Sequence, residues 1–219
     1  MSPQLKKTAK DATVALGIFF LVLVLGSAAA WFARSVLGFP TWASSLVVQL
    51  VFLCTPLAMA RFLRGGRREL GLILSTSGLL HASLASIVVA IALVWAISLV
   101  PQEGAQGQPE LVEDPLLLAV LTLLVAPPCE EMFFRGLLQG YIMGRGHRRL
   151  SMVLPAILFS AVHAIPFRSA GVAMLSAILV GALALGLIAG YFRAASGSLL
   201  HAVLAHFWFN VVGYIAMMI

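Results

Sequence analysis

The sequence predicts an all-α, polytopic bundle of about seven transmembrane helices with a cytoplasmic amino terminus. Three observations carry that prediction. Of the 219 residues, 61% are hydrophobic and only 10% are charged, a balance of membrane-embedded chains and not of soluble domains. The apolar residues gather into runs that can cross a hydrocarbon core of about 30 Å, which takes about 20 residues of helix. The basic residues fall in alternate connections, the pattern that sets orientation.

In order, the apolar spans are read at 13–33, 42–62, 81–100, 115–143, 150–167, 171–192 and 198–219. The first follows the basic stretch 6-KKTAKD-11 and contains 27-SAAAWFA-33, which resembles a signal-peptide cleavage site. Its apolar run exceeds the about 7–15 residues of a secretory core, so an uncleaved span is expected. Between the second and third spans, 69-ELGLILSTSGLLHA-82 is moderately apolar and follows 61-RFLRGGRR-68. It is expected at the interface, or as an early start of the third helix. Pro127 and Pro128 are expected to kink or restart the fourth helix and free carbonyls, and Gly181, Gly186 and Gly190 to let the sixth pack closely. No segment outside the spans is long enough to fold alone, and the chain divides into 1–114 and 115–219.

Charge orients these spans. With the amino terminus inside, the inner connections hold Lys6, Lys7 and Lys10, then Arg61, Arg64, Arg67 and Arg68, then Arg145, Arg148 and Arg149, then Arg193. Only Arg34 and Arg168 fall outside, and 101-PQEGAQGQPELVED-114 carries four acids and no base. The net charge of +6 is therefore a topology signal. No aromatic-interleaved basic surface points to nucleic acid. Cys54 and Cys129 both lie in apolar runs, where free buried thiols are the expectation and a disulfide framework is not.

One stretch departs from this pattern: 126-APPCEEMFFRGLLQG-140 places Glu130, Glu131 and Arg135 inside the fourth span. Glu130 is fifteen residues from Arg145 at the inner boundary, or about 22 Å along a helix. A charged side chain at such depth costs about 2.5–3.5 kcal/mol on insertion scales. Glu131 and Arg135 are four apart and can pair on one face. Glu130 is about 100° round the helix from Glu131, so it must be protonated, hydrated or matched from another helix.

Partners for Glu130 are sought at equal depth. His163 on the fifth span, with His206 and Asn210 on the seventh, lie at heights of about 20, 12 and 18 Å from the inner side. Phe159 and His163, like His206 and Asn210, are i,i+4 pairs on a shared face. Single membrane histidines and amides are ordinarily helix-helix glue, and His201 and Gln139 are read that way. A carboxylate, two histidines and an amide at one depth instead suit hydrolysis by activated water. Glu130 could take a proton from water, His163 could position that water, and His206 with Asn210 could donate to an oxyanion. Glu130, His163 and His206 could alternatively hold a divalent metal such as zinc, although no H-E-x-x-H is present.

At these residues the sequence resembles the type II CAAX prenyl endopeptidase family of intramembrane proteases, also called the CPBP or Abi family. The family's E-E-x-x-x-R stands here as 130-EEMFFR-135, its F-x-x-x-H as 159-FSAVH-163 and its H-x-x-x-N as 206-HFWFN-210. The resemblance covers 115–219 and implies a catalytic four-helix core there. It implies Glu130 as general base, His163 as its partner at the water, His206 and Asn210 as oxyanion donors, and Glu131 with Arg135 as a supporting pair. It requires no cofactor in the glutamate-type mechanism and leaves a metal open. It also implies a peptide or membrane-protein substrate, lipidated in some members, and membrane lipid as surroundings. Competing classes are a non-enzymatic immunity or scaffold protein and a proton-coupled transporter. Abundant Ala, Leu, Gly and Arg with few Lys suit a GC-rich genome, so a bacterial inner membrane is the expected location.

Overall fold

A computed structural model of the protein describes residues 2–63, 66–99 and 114–218. The acidic segment 101–113 and Arg64, both used to orient the spans, lie outside these. The described residues form helices and turns, with no strand among them. The helices are α1 (Pro3–Ser35), α2 (Thr41–Met59), α3 (Leu79–Ser98), α4 (Pro115–Met143), α5 (Arg148–Val162), α6 (Val172–Ser196) and α7 (Leu199–Met218). All of these except α5 are long and apolar enough to cross a membrane. The chain is thus an integral membrane protein. The predicted fifth span, 150–167, forms a helix of only 15 residues, about 22 Å long, followed by turns through 163–169. It falls short of the about 30 Å core.

Helix α4 is the axis of the bundle. Each residue from Glu131 to Ile142 is buried, as expected of a helix surrounded by others and apolar nearly all round. α2, α5 and α7 pack around it, α1 lies against α2, and α6 lies against α5 and α7. A train of rings crosses this core: Phe52 of α2 stacks on Phe133 at 5.0 Å, Phe133 meets Phe134 at 4.9 Å, and Phe134 meets Phe159 of α5 at 5.1 Å. Such offset and edge contacts add about 0.5–1.5 kcal/mol each beyond burial. They fix three helices against one another directly beside the carboxylates.

Two wider π-helical stretches interrupt α4, at Val120–Val125 and Met132–Leu138. Pro127 and Pro128 do not break the helix, as the sequence allowed, but they explain the first stretch. The Ala126 N–H reaches back to Leu121 O, and the next helical donor for Thr122 O would be Pro127, which has no N–H. The Thr122 carbonyl is thereby released toward α7.

The segment after α2 is not an early start of α3, which begins at Leu79. Residues 66–78 run across the end of the bundle where α4 finishes, with Leu70 fully buried. Their carbonyls supply the acceptors that polar side chains need: Arg193 donates to Glu69 O at 2.7 Å, Ser198 to Ile73 O at 2.7 Å and His201 to Ser77 O at 2.8 Å. This backbone crosses α4 at Gly140, where a Cβ would overlap the Glu69 carbonyl. His201 is therefore glue between loop and helix. Gln139 is glue between helices, donating to Gly190 O at 2.7 Å.

At the same end, Arg145 and His147 are more than a topology signal. They hold Asp11 of α1 at 3.3 and 3.0 Å, and Arg145 also lies over the Tyr141 ring. In α6 the expected close packing is present, since a Cβ on Gly186 would stand 2.9 Å from Ala156 Cα and 3.1 Å from Arg135 Nη2.

Candidate active site

Glu131 and Arg135 form the expected pair, with Arg135 Nη1 donating to Glu131 Oε1 at 2.9 Å and both side chains fully buried. A buried pair is stable only when further hydrogen bonds and packing support it. Here His206 of α7 supplies a second donor, its Nδ1 lying 2.8 Å from the same Glu131 oxygen. The guanidinium carbon sits 4.6 Å from the centre of the Phe159 ring, a cation–π contact strengthened by the burial of both groups. Glu131 Oε2 and Arg135 Nε and Nη2 have no partner among the described residues.

This arrangement corrects the two-member pair expected from the sequence. Glu131 joins Arg135 to His206, so His206 is oriented by Glu131 and not by Glu130. With Nδ1–H donating to a carboxylate, Nε2 faces the other way, and it lies 3.9 Å from Glu130 Oε2.

Glu130 is the accessible member, its side chain 16% exposed against 0% for Glu131. Its other oxygen, Oε1, accepts from Gln49 Nε2 of α2 at 2.9 Å. The motif-based reading did not include Gln49. A signal was present, since Gln49 is the lone amide of the span 42–62 and an amide in hydrocarbon needs a partner.

His163 stands where α5 ends. Its N–H turns back to Ser160 O at 3.1 Å, which leaves Phe159 O without its ordinary helical donor. The His163 ring fills that vacancy, Nδ1 lying 2.7 Å from Phe159 O. A carbonyl only accepts, so Nδ1 carries the proton and Nε2 offers a lone pair. Phe159 is the hub of the constellation, its ring 4.8 Å from His163 and 5.5 Å from His206.

Asn210 departs furthest from expectation. It does not present its amide beside His206 as a free donor; Nδ2 donates to Thr122 O at 2.8 Å, the carbonyl released by Pro127. One N–H of the amide remains, because the group has two.

Among the described residues no three His, Cys, Asp or Glu side chains are grouped to hold an ion.

Five residues therefore gather around Glu130 and Glu131 on four helices, Gln49, Arg135, Phe159, His163 and His206, while Asn210 is held at Thr122 O. Residues 112–212 match the family model described as type II CAAX prenyl endopeptidase Rce1-like. This region is similar to that family. The match contains each motif residue named above, whereas Gln49 lies outside it. No curated protein and no solved structure matches the chain. The Rce1-like family is one of proteases, so its description identifies the class of chemistry and not the substrate of this chain.

Proposed function

We propose that the protein is an intramembrane endopeptidase in which Glu130 activates water to cleave a peptide bond, acting in a bacterial inner membrane. The observation that carries this reading is the gap between Glu130 Oε2 and His206 Nε2. At 3.9 Å it is too long for a hydrogen bond, and a single water about 2.8 Å from each atom would bridge it.

In the proposed reaction Glu130 takes a proton from that water while the oxygen attacks the scissile carbonyl carbon. His163 Nε2, an acceptor by the geometry of its other nitrogen, helps to orient the water. The carbonyl oxygen becomes an oxyanion, met by the remaining N–H of Asn210 and by His206 Nε2 when that ring is an imidazolium. Glu131 supports that form by neutralising it. Arg135, Glu131, His206 and Glu130 then carry two positive and two negative charges, a sum of zero that suits hydrocarbon surroundings. As the C–N bond breaks, Glu130 returns its proton to the leaving amine. Water is consumed, and a carboxylic acid and an amine are released.

The substrate class suggested by the family description is a membrane-delivered peptide end, with a prenylated cysteine one form of it. What favours an endopeptidase over an immunity or scaffold role or a proton-coupled transporter is the family description, which is of a protease. The full-length protein in detergent, incubated with quenched fluorescent peptides with and without a prenylated cysteine, is expected to cleave. Glu130→Gln and Glu130→Ala are expected to abolish cleavage. Equal cleavage by wild type and Glu130→Ala would sink the assignment, and proton-coupled uptake in liposomes would favour the transporter.

A further inference from the structure

We infer that Gln49 of α2 is a positioning residue for Glu130, selecting which carboxylate oxygen serves as the base. The inference rests on the reading of Glu130 as that base. It adds a residue from the amino-terminal part of the chain, outside the matched region 112–212.

The geometry is specific at both ends of the side chain. An ionised carboxylate only accepts hydrogen bonds, so the Gln49 amide must turn its NH2 group toward Glu130, and the contact is 2.9 Å to Oε1. With Oε1 held in this way, Oε2 is the oxygen left toward His206 at 3.9 Å. Without the amide, rotation about the last carbon–carbon bond of Glu130 would exchange the two oxygens. The base would then lose its fixed relation to the water.

Helix α2 holds the amide firmly. Gln49, Phe52 and Pro56 stand at i, i+3 and i+7, one face of the helix. Phe52 and Pro56 are both buried on that face, and Phe52 stacks on Phe133 of α4. α2 is therefore keyed to α4 one turn from the contact.

A purely structural role for Gln49 fits less well. Structural amides in a membrane generally use both ends, as buried polar atoms are ordinarily paired. The Gln49 carbonyl oxygen is buried and has no partner among the described residues. The amide is committed to Glu130 alone, with an acceptor left over beside the reacting groups.

The test compares Gln49→Met, which keeps the length and removes the donor, with Gln49→Asn, which withdraws the amide by one methylene. Both are made in the full chain and assayed in detergent on a quenched fluorescent peptide that the wild type cleaves. The expected result is a kcat lower by about 10- to 100-fold, the scale of a small misplacement of a reacting group. KM should stay within about twofold, as expected when only the chemical step is affected. The thermal melting midpoint should remain that of wild type. Wild-type kcat in both variants, or a loss confined to KM or to the melting midpoint, overturns the inference. Glu130→Gln is assayed in parallel. If it retains activity, the reading of Glu130 as base fails and the positioning role with it; if it is inactive while both Gln49 variants turn over normally, the positioning role alone fails.

Discussion

His206 Nδ1 and Glu131 Oε1 lie 2.8 Å apart, on the same oxygen that Arg135 grips from the other side at 2.9 Å. Two adjacent glutamates are thereby given different work. Glu131 is sealed between two donors, whereas Glu130 keeps partial exposure and a neutral amide partner.

Removing Glu131 should cost stability more than removing Glu130. Glu131→Ala leaves the fully buried Arg135 without its counter-charge, and breaking such a pair costs about 3–5 kcal/mol. Glu131→Ala with Arg135→Met should recover much of the loss, because no lone buried charge remains. Unfolding of the single and double variants in detergent checks this. Equal destabilisation of both would show that the pair is not the source.

Asn210→Ala should separate stability from turnover. The lost bond to Thr122 O is an ordinary membrane hydrogen bond of about 0.6 kcal/mol on average, so the melting midpoint should shift little. An oxyanion donor lost at the same time should lower kcat by about 10²–10³. A normal kcat would leave Asn210 as a brace for the Pro127 carbonyl gap only.

Chelation addresses the metal alternative. Purified protein treated with a chelator should retain its peptide cleavage within about twofold, as a glutamate-activated water needs no ion. Loss of activity restored by zinc alone would instead assign Glu130, His163 and His206 to a metal site.

Gly140→Ala should disrupt the end of the bundle where α4 finishes. The new methyl would overlap the Glu69 carbonyl, and relief by backbone movement costs about 1–3 kcal/mol. It would also pull Glu69 O from Arg193. A lower melting midpoint, with Gly17→Ala as a control at a position with open space, is the expected outcome.

The orientation is open to a direct reading with reporters fused at each end. A cytoplasmic amino terminus and an external carboxyl terminus are expected from the basic residues of the inner connections. A cytoplasmic carboxyl terminus would contradict the seven-span topology, with the short α5 the first element to re-examine.

The residues of this sequence determined several things by themselves. The uninterrupted apolar runs specified helices, because hydrocarbon leaves the backbone no partner but its own. The spacing of Glu131 and Arg135 specified their pair, since four residues bring side chains to one face whatever else surrounds them. The motifs on α4, α5 and α7 specified which polar groups belong together.

Tertiary structure decided the rest, because each of those choices depends on contacts between segments distant in sequence. Depth along a helix could bring His206 near the glutamates, but only the packing of α7 on α4 turned its Nδ1 to Glu131. Asn210 found the Thr122 carbonyl because Pro127 had emptied that position and α7 passed beside it. Gln49 is 81 residues from Glu130, and no local spacing links them. The length of α5 was also hidden, since apolarity continues through 163–167 while the backbone turns at His163. Local pattern fixes which residues share a face; only the packing of helices fixes which faces meet.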